Sequence, residues 1–196
     1  MHEDFWIIFL IGFAAQMVDG ALGMAYGLTA SSFLLAAGVP PAPVSATVHL
    51  AETMTTGVSA LSHQRFGNVD RALFKRLVIP GVLGAMLGAY ILVSIPGEAI
   101  KPWIAGYILL MGLVVLGKAF THVPPVRVAS HIAPLGFVGA LLDACGGGGW
   151  GPIVGSTLLA RGNEARFTVG TVNAVEFFVT LASSAVFLVT IGFGLW

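Results

Sequence analysis

Long apolar runs recur along almost the whole chain, and they decide what it can fold into. Of 196 residues, 57% are hydrophobic and only 9% charged, against about 25% charged in a soluble domain. So few charges cannot coat a globular surface, and lipid is the solvent that suits such a chain. Mean hydropathy is +0.93, and the number of separate runs predicts repeated spans rather than one anchor. The 26 glycines agree, because small residues let membrane helices pack closely. Nine bases balance nine acids without a basic patch, so no nucleic-acid partner is expected. The single cysteine, Cys145, excludes an internal disulfide. The first residues lack the positive segment and cleavage site of a signal peptide, so the first apolar segment is expected to stay in the mature protein.

Polar and glycine-rich interruptions divide the runs. Residues 5–18 are apolar but short of a span, 19–23 form a break, and 24–37 form a second short helix. Pro40, Pro41 and Pro43 then punctuate the chain. A full-length helix is predicted over 44–62, a basic stretch over 65–76, and spans over 77–95 and 103–120. Pro80 predicts a kink in the first of these spans, and Gly84 and Gly88 have the spacing of a close helix contact. A linker with two prolines covers 121–130. From Ile132 an apolar segment runs to a break at 143–151 and resumes to Ala160. The turn at 161–166 leads to a last helix over 167–187 and an apolar tail to Trp196.

A shift of 124 positions lays residues 12–63 on 136–187 without a gap. Asp19 meets Asp143, Gly23 and Gly27 meet Gly147 and Gly151, and Glu52 meets Glu176. The paired acids carry the argument, since acids are rare here. If each broken segment enters and leaves on one side, the remaining helices of the first unit cross three times, and the second unit starts on the opposite side. The expected fold class is therefore an all-α polytopic membrane protein of inverted structural repeats with broken or re-entrant helices. Its organisation would be a first repeat over 1–120, a cytoplasmic linker over 121–131 and a second repeat over 132–196. The counterparts of the spans at 77–95 and 103–120 would lie beyond Trp196, so the second repeat is expected to be incomplete.

This topology puts Arg65, Arg71, Lys75, Arg76, Lys118, Arg127, Arg161 and Arg166 on one side and only Lys101 on the other. The positive-inside rule makes the crowded side cytoplasmic, with the N-terminus outside and the chain a multi-pass protein of the cell membrane.

Irregular backbone at membrane depth needs protein or water to satisfy it, and broken helices in inverted repeats commonly form the substrate site. The helix after each break offers free N–H groups and a positive dipole end, hence an anion site. Gly23, Gly27, Gly147, Gly148, Gly149 and Gly151 are the candidate backbone donors. His49 and Asn173, each one turn before a glutamate, are candidate side-chain donors. Asp19, Glu52, Asp143 and Glu176 cannot all be ionised beside a bound anion without strong repulsion, which points to proton coupling. Trp6, Trp103 and Tyr107 read as interfacial or packing aromatics. Nothing beside Cys145 activates a nucleophile and Gly155-Ser156 has no base placed by sequence, so no enzyme is expected.

The segment from Gly136 through Asp143 and the run Gly146–Gly149 to Trp150-Gly151-Pro152, followed by Thr171-Val-Asn173-Ala-Val-Glu176, resembles the TauE/SafE sulfite exporter family. Gly20-Ala-Leu-Gly23-Met-Ala-Tyr-Gly27 is similar to a degenerate copy. The resemblance implies a transporter of sulfite, small organosulfonates or related sulfur oxyanions, without fixing its direction. It also implies further spans after the second motif.

The expected partners are a small sulfur-containing anion and the lipid bilayer, with a homo-oligomer left open and no cofactor or metal. Two alternatives stay open: a cation or metal carrier using His49 and the four acids, and a non-transporting membrane subunit. The topology has a direct check. Cysteine placed at Gly97 should react with an impermeant label on intact cells, and cysteine at Gly67 should not; the reverse pattern would defeat the orientation.

Overall fold

A computed structural model describes residues 2–22, 24–120 and 131–192. Gly23, the linker at 121–130 and the tail at 193–196 lie outside the described residues. The elements are α1 (His2–Leu22), α2 (Tyr26–Ala36), α3 (Pro41–Arg65), α4 (Arg71–Ser94), α5 (Gly97–Phe120) and α6 (Ile132–Gly146). A π-helical turn, Gly151–Gly155, runs into α7 (Ser156–Ala160), and α8 (Ala165–Ile191) completes the order. Among the described residues there is no strand. The chain is an all-α membrane protein.

Three helical segments, Arg71–Ser94, Gly97–Val114 and Ala165–Ile191, are long and apolar enough to cross a membrane. α3 has 25 residues, about 37 Å at the helical rise, and misses that group because it is too polar. Its polar residues are on the inside. Ser45, His49, Glu52, Thr53 and Thr56 are buried, while Trp103 is 78% and Val189 86% exposed. Hydroxyls, a histidine and an acid thus join the apolar core while large apolar side chains cover the exterior, unlike the soluble pattern. Several buried hydroxyls donate to carbonyls one turn back, Thr53 to His49 at 2.8 Å and Thr180 to Glu176 at 2.9 Å. Without water, that is how a hydroxyl is satisfied inside a helix bundle.

Local chemistry sets the helix ends. Pro41 opens α3 where its missing N–H costs nothing. The Asp70 carboxylate caps α4 by accepting from Ala72 and Leu73. Both broken segments are more helical than their composition predicts. α1 continues through Asp19 to Leu22, and α6 through Asp143 to Gly146. Each unpaired backbone group is costly away from water, so the helix persists through a polar or glycine residue until the chain must turn. Among the described residues the breaks shrink to 24–25 and 147–149. The helix ends then obey the sequence offset: 22 matches 146, 36 matches 160 and 41 matches 165.

Two seams hold the helices together. Along α4 and α6, Gly84 lies against the Phe137 carbonyl and Gly88 against the Leu141 carbonyl, with no room for a Cβ at either. Gly81 faces Trp150 and Val179 in the same way. Along α3 and α8, His49 stands beside Phe187, Thr53 beside Ser184 and Gly57 beside Phe177. Those pairings require the two helices to run antiparallel. Beyond α3, Arg166 donates to Asn68 Oδ1 and the Phe66 carbonyl, and Asp70 N–H donates to Thr171. The start of α8 therefore sits with the α3–α4 turn. At the other end Pro41 lies against Gly97, placing the α2–α3 turn beside the α4–α5 turn.

The glycine seam predicts a sharp contrast. Gly84→Leu or Gly88→Leu should destabilise the detergent-solubilised protein by about 1–3 kcal/mol or more, since the obstacle is backbone. Gly106→Leu on α5, whose added side chain meets nothing, should leave the melting temperature nearly unchanged.

Candidate functional site

The site grows from one device used twice. Asp143, in the last turn of α6, reaches across the glycine run and accepts the Trp150 N–H through Oδ1 at 3.0 Å. Asp19, at the matching place in α1, accepts the Tyr26 N–H through Oδ1 at 3.1 Å. In each unit the carboxylate of the entering helix caps the returning helix. An N–H that would otherwise be orphaned at a buried helix start gains a charge-assisted bond.

The second break needs its glycines. Gly147, Gly148 and Gly149 have φ of +70°, +152° and +153°, a region that side chains with a Cβ avoid. They are also in tight contact. A Cβ on Gly148 would strike the backbone of Gly27 and Leu28, and one on Gly27 would lie 2.8 Å from Gly148 Cα. The break of the second unit therefore packs against the first turn of α2. Ser31 donates its hydroxyl to the Gly147 carbonyl, Ser45 to the Ala144 carbonyl at 2.6 Å, and Tyr107 to the Gly148 carbonyl at 3.2 Å. Trp150 is fully buried, and its indole N–H reaches the Val172 carbonyl at 3.1 Å.

Beside this junction lies a cavity of about 20 Å³, room for a water molecule and little more. Asp19, Tyr26, Gly27, Glu52, Thr55, Thr56, Gly149, Gly151, Asn173 and Glu176 all line it. Glu52 is 5% exposed, and among the described residues its Oε2 has no hydrogen-bond partner. Its Oε1 is so close that a Cβ on Gly27 would come within 2.6 Å of it. Asp19, Asp143 and Glu176 are near enough to act on the Glu52 charge.

The predicted site residues fall into two groups. Gly27, Gly149, Gly151, Asn173, Asp19, Glu52 and Glu176 meet at the cavity. Gly147 and Gly148 stand behind it at the junction with α2. His49 and Asp143 are sealed away together: His49 is fully buried, its Nδ1 lies 2.7 Å from the Ser45 carbonyl and its Nε2 3.2 Å from Asp143 Oδ2. Gly23 lies outside the described residues. Sequence reading named Tyr26 and Trp150 only as part of the family motif and its degenerate copy, and gave no role to them, to Ser31, to Ser45 or to the Tyr107 hydroxyl. Tyr26 and Trp150 had a signal, each lying seven residues after its aspartate at matching repeat positions. The hydroxyls had none, because their partners are carbonyls on other helices.

These features define a class, a helical membrane protein whose two broken helices meet at a buried acidic cavity. The sulfite exporter TauE/SafE family model matches residues 8–196, and the chain belongs to that family. It is 45% identical over 190 residues to the probable membrane transporter protein YtnM of Bacillus subtilis (strain 168), a match covering 93% of this chain and 63% of the relative. It is 27% identical over 151 residues to the probable membrane transporter protein ORF9 of a Sinorhizobium species, covering 76% and 57%. The chain thus spans about three-fifths of the length of these curated relatives. No solved structure matches it.

The junction makes a selective demand on its glycines. Gly148→Ala should abolish or sharply reduce the yield of monodisperse protein, because it meets both a positive φ and a neighbouring backbone. Gly20→Ala, with nothing within 4 Å of the added carbon, should give normal yield by size-exclusion chromatography.

Proposed function

We propose that the chain forms the core of a secondary transporter for sulfite, organosulfonates or related sulfur oxyanions, coupled to protons. In this reading it is a multi-pass protein of the cytoplasmic membrane, its two broken-helix units being inverted repeats. Family membership supports the substrate class. The antiparallel pairing of α3 with α8 and the matched helix ends support the inversion. One observation carries the mechanism: Glu52 is buried at the cavity with an unpartnered carboxyl oxygen, among Asp19 and Glu176.

Three carboxyl groups line that cavity, and none of its lining residues is a base. An anion entering beside ionised carboxylates would be repelled strongly in so dry a place. Protonation removes the repulsion and turns each carboxyl into a donor. The helix starts near Gly27, whose own N–H bonds the Glu52 carboxyl, and near Gly151 then turn the positive dipole end toward the anion. Proton and anion would thus travel together. The cavity is too small for a sulfonate, so the structure corresponds to a closed state that must open to load.

The sign of the pH dependence follows. For a sulfonate, whose own charge is constant near neutral pH, apparent affinity should fall as pH rises. The test is flux into proteoliposomes of the full chain with sulfite, sulfoacetate, taurine, thiosulfate and sulfate, with and without a pH gradient. Glu52→Gln and Glu176→Gln should keep the fold but lower gradient-driven flux by roughly 5- to 150-fold, the range of ordinary coupling free energies. They should also flatten its pH dependence. The two effects should differ, because His49 and Asn173 make their surroundings unequal. Wild-type flux and pH dependence in both variants would remove the coupling role.

A further inference from the structure

We propose that His49 and Asp143 form a proton-binding site that closes the cavity at its Pro96 end, and that release of the proton opens that end. The role rests on the transport reading above, but the proton count rests on geometry alone.

Counting hydrogens fixes the state of the pair. His49 Nδ1 lies 2.7 Å from the Ser45 carbonyl oxygen. A carbonyl only accepts, so Nδ1 carries a hydrogen. Nε2 lies 3.2 Å from Asp143 Oδ2, with both side chains at or below 2% exposure. A singly protonated ring would present a lone pair at Nε2, and an ionised carboxylate presents another. Two acceptors face to face in a buried site repel each other. The observed contact therefore holds one proton between Nε2 and Oδ2, whichever atom it sits on. Asp143 Oδ1 is already committed to the Trp150 N–H, so the carboxylate cannot turn away without undoing the break.

Position makes the pair a closure. On α3 it lies one turn from Glu52 towards Pro41, and Pro41 lies against Gly97 at the Pro96 end. The Ser45 to Ala144 bond and the ring of Phe187 close around it. The same offset that pairs the two aspartates pairs His49 with Asn173. Asn173 and Asp19 both line the cavity, so the counterpart pair is open while the His49–Asp143 pair is shut. An amide N–H can bond a carboxylate without taking up a proton. Of the two equivalent closures, only the one containing histidine is tied to a proton.

Other titratable groups surround the pair. Glu52 lies on its own helix, Cys145 follows Asp143, Tyr107 comes from α5 and Glu176 from α8, and all four feel the Asp143 charge. Asp19 of α1 acts on Glu52 and Glu176. A proton leaving Nε2–Oδ2 would pass to solvent at the Pro96 end as the two side chains part. It leaves a neutral ring and a carboxylate, each free to be hydrated.

Cys145 is the chain's single cysteine, lies two residues after Asp143 and donates to the Gly88 carbonyl of α4, so its reactivity follows the end of α6 when the pair parts. The experiment follows its alkylation by a neutral maleimide in the full chain in liposomes, from about pH 5.5 to about pH 8.5, the range in which histidine responds. Asp143→Asn is the control protein, because its amide N–H can bond a neutral Nε2 and its oxygen can still accept from Trp150. Burial keeps the thiol protonated across this range, so dividing wild-type by Asp143→Asn rates cancels the pH dependence of its ionisation and leaves a constant factor for the lost Asp143 charge. The ratio should rise about tenfold from acid to alkaline pH, equivalent to ~1.4 kcal/mol. His49→Ala, which keeps Asp143, should alkylate faster than wild type at the acid end of the range. Should that variant not fold, His49→Asn should be protected, with the same pH profile as Asp143→Asn. A flat ratio, a His49→Ala protein no more reactive than wild type at acid pH, or a His49→Asn profile like wild type would each overturn the proposal. No transported solute enters the assay, so its outcome is separate from that of the flux measurements.

Discussion

The structure depends on two hydrogen bonds that bridge gaps in helices. A chain that breaks inside an apolar bundle leaves N–H groups that neither lipid nor water will satisfy. Here each break follows an aspartate, and the carboxylate supplies the missing acceptor, Asp19 to Tyr26 and Asp143 to Trp150. With the returning helix capped in this way, its start can be held in the interior. The glycines then let the second break approach α2 until backbone touches backbone. Removing either element, the acid or the small residues, leaves buried polar groups without partners.

Packing around the junction relies on the same small residues and hydroxyls. α4 presses Gly84 and Gly88 onto carbonyls of α6, so the seam is set by backbone shape rather than by interlocking side chains. Within a bilayer there is little hydrophobic gain in burying leucine against leucine, and close approach with internal hydrogen bonds takes over. Hydroxyls such as Ser31, Ser45 and Tyr107 then satisfy the carbonyls that the glycine run exposes. The result is a rigid tip from one unit inserted against the start of a helix from the other.

Two equivalent Asp-centred sites in different states give the molecule its asymmetry. Asp143 is clamped from both sides, by Trp150 and by His49, while Asp19 caps its returning helix and faces the cavity with Asn173. Glu52, at the cavity with Asp19, is also within electrostatic reach of Asp143.

Much of this was legible before any coordinates. Scarcity of charge fixed the solvent, the offset fixed the matched elements, and paired acids among apolar residues marked Asp19, Asp143, Glu52 and Glu176 as more than surface groups. Composition also placed the breaks to within a few residues, missing only how far the helices persist through Asp19 and Asp143. Periodicity and composition act along the chain, so they report on segments and their solvent. Partners on other helices belong to the third dimension. That His49 seals against Asp143 while Asn173 faces the cavity, that Gly148 rests on Gly27, and that Trp150 closes the core were decided by tertiary structure. Equivalent sequence positions acquire different surroundings once two similar units pack against each other in a single conformation.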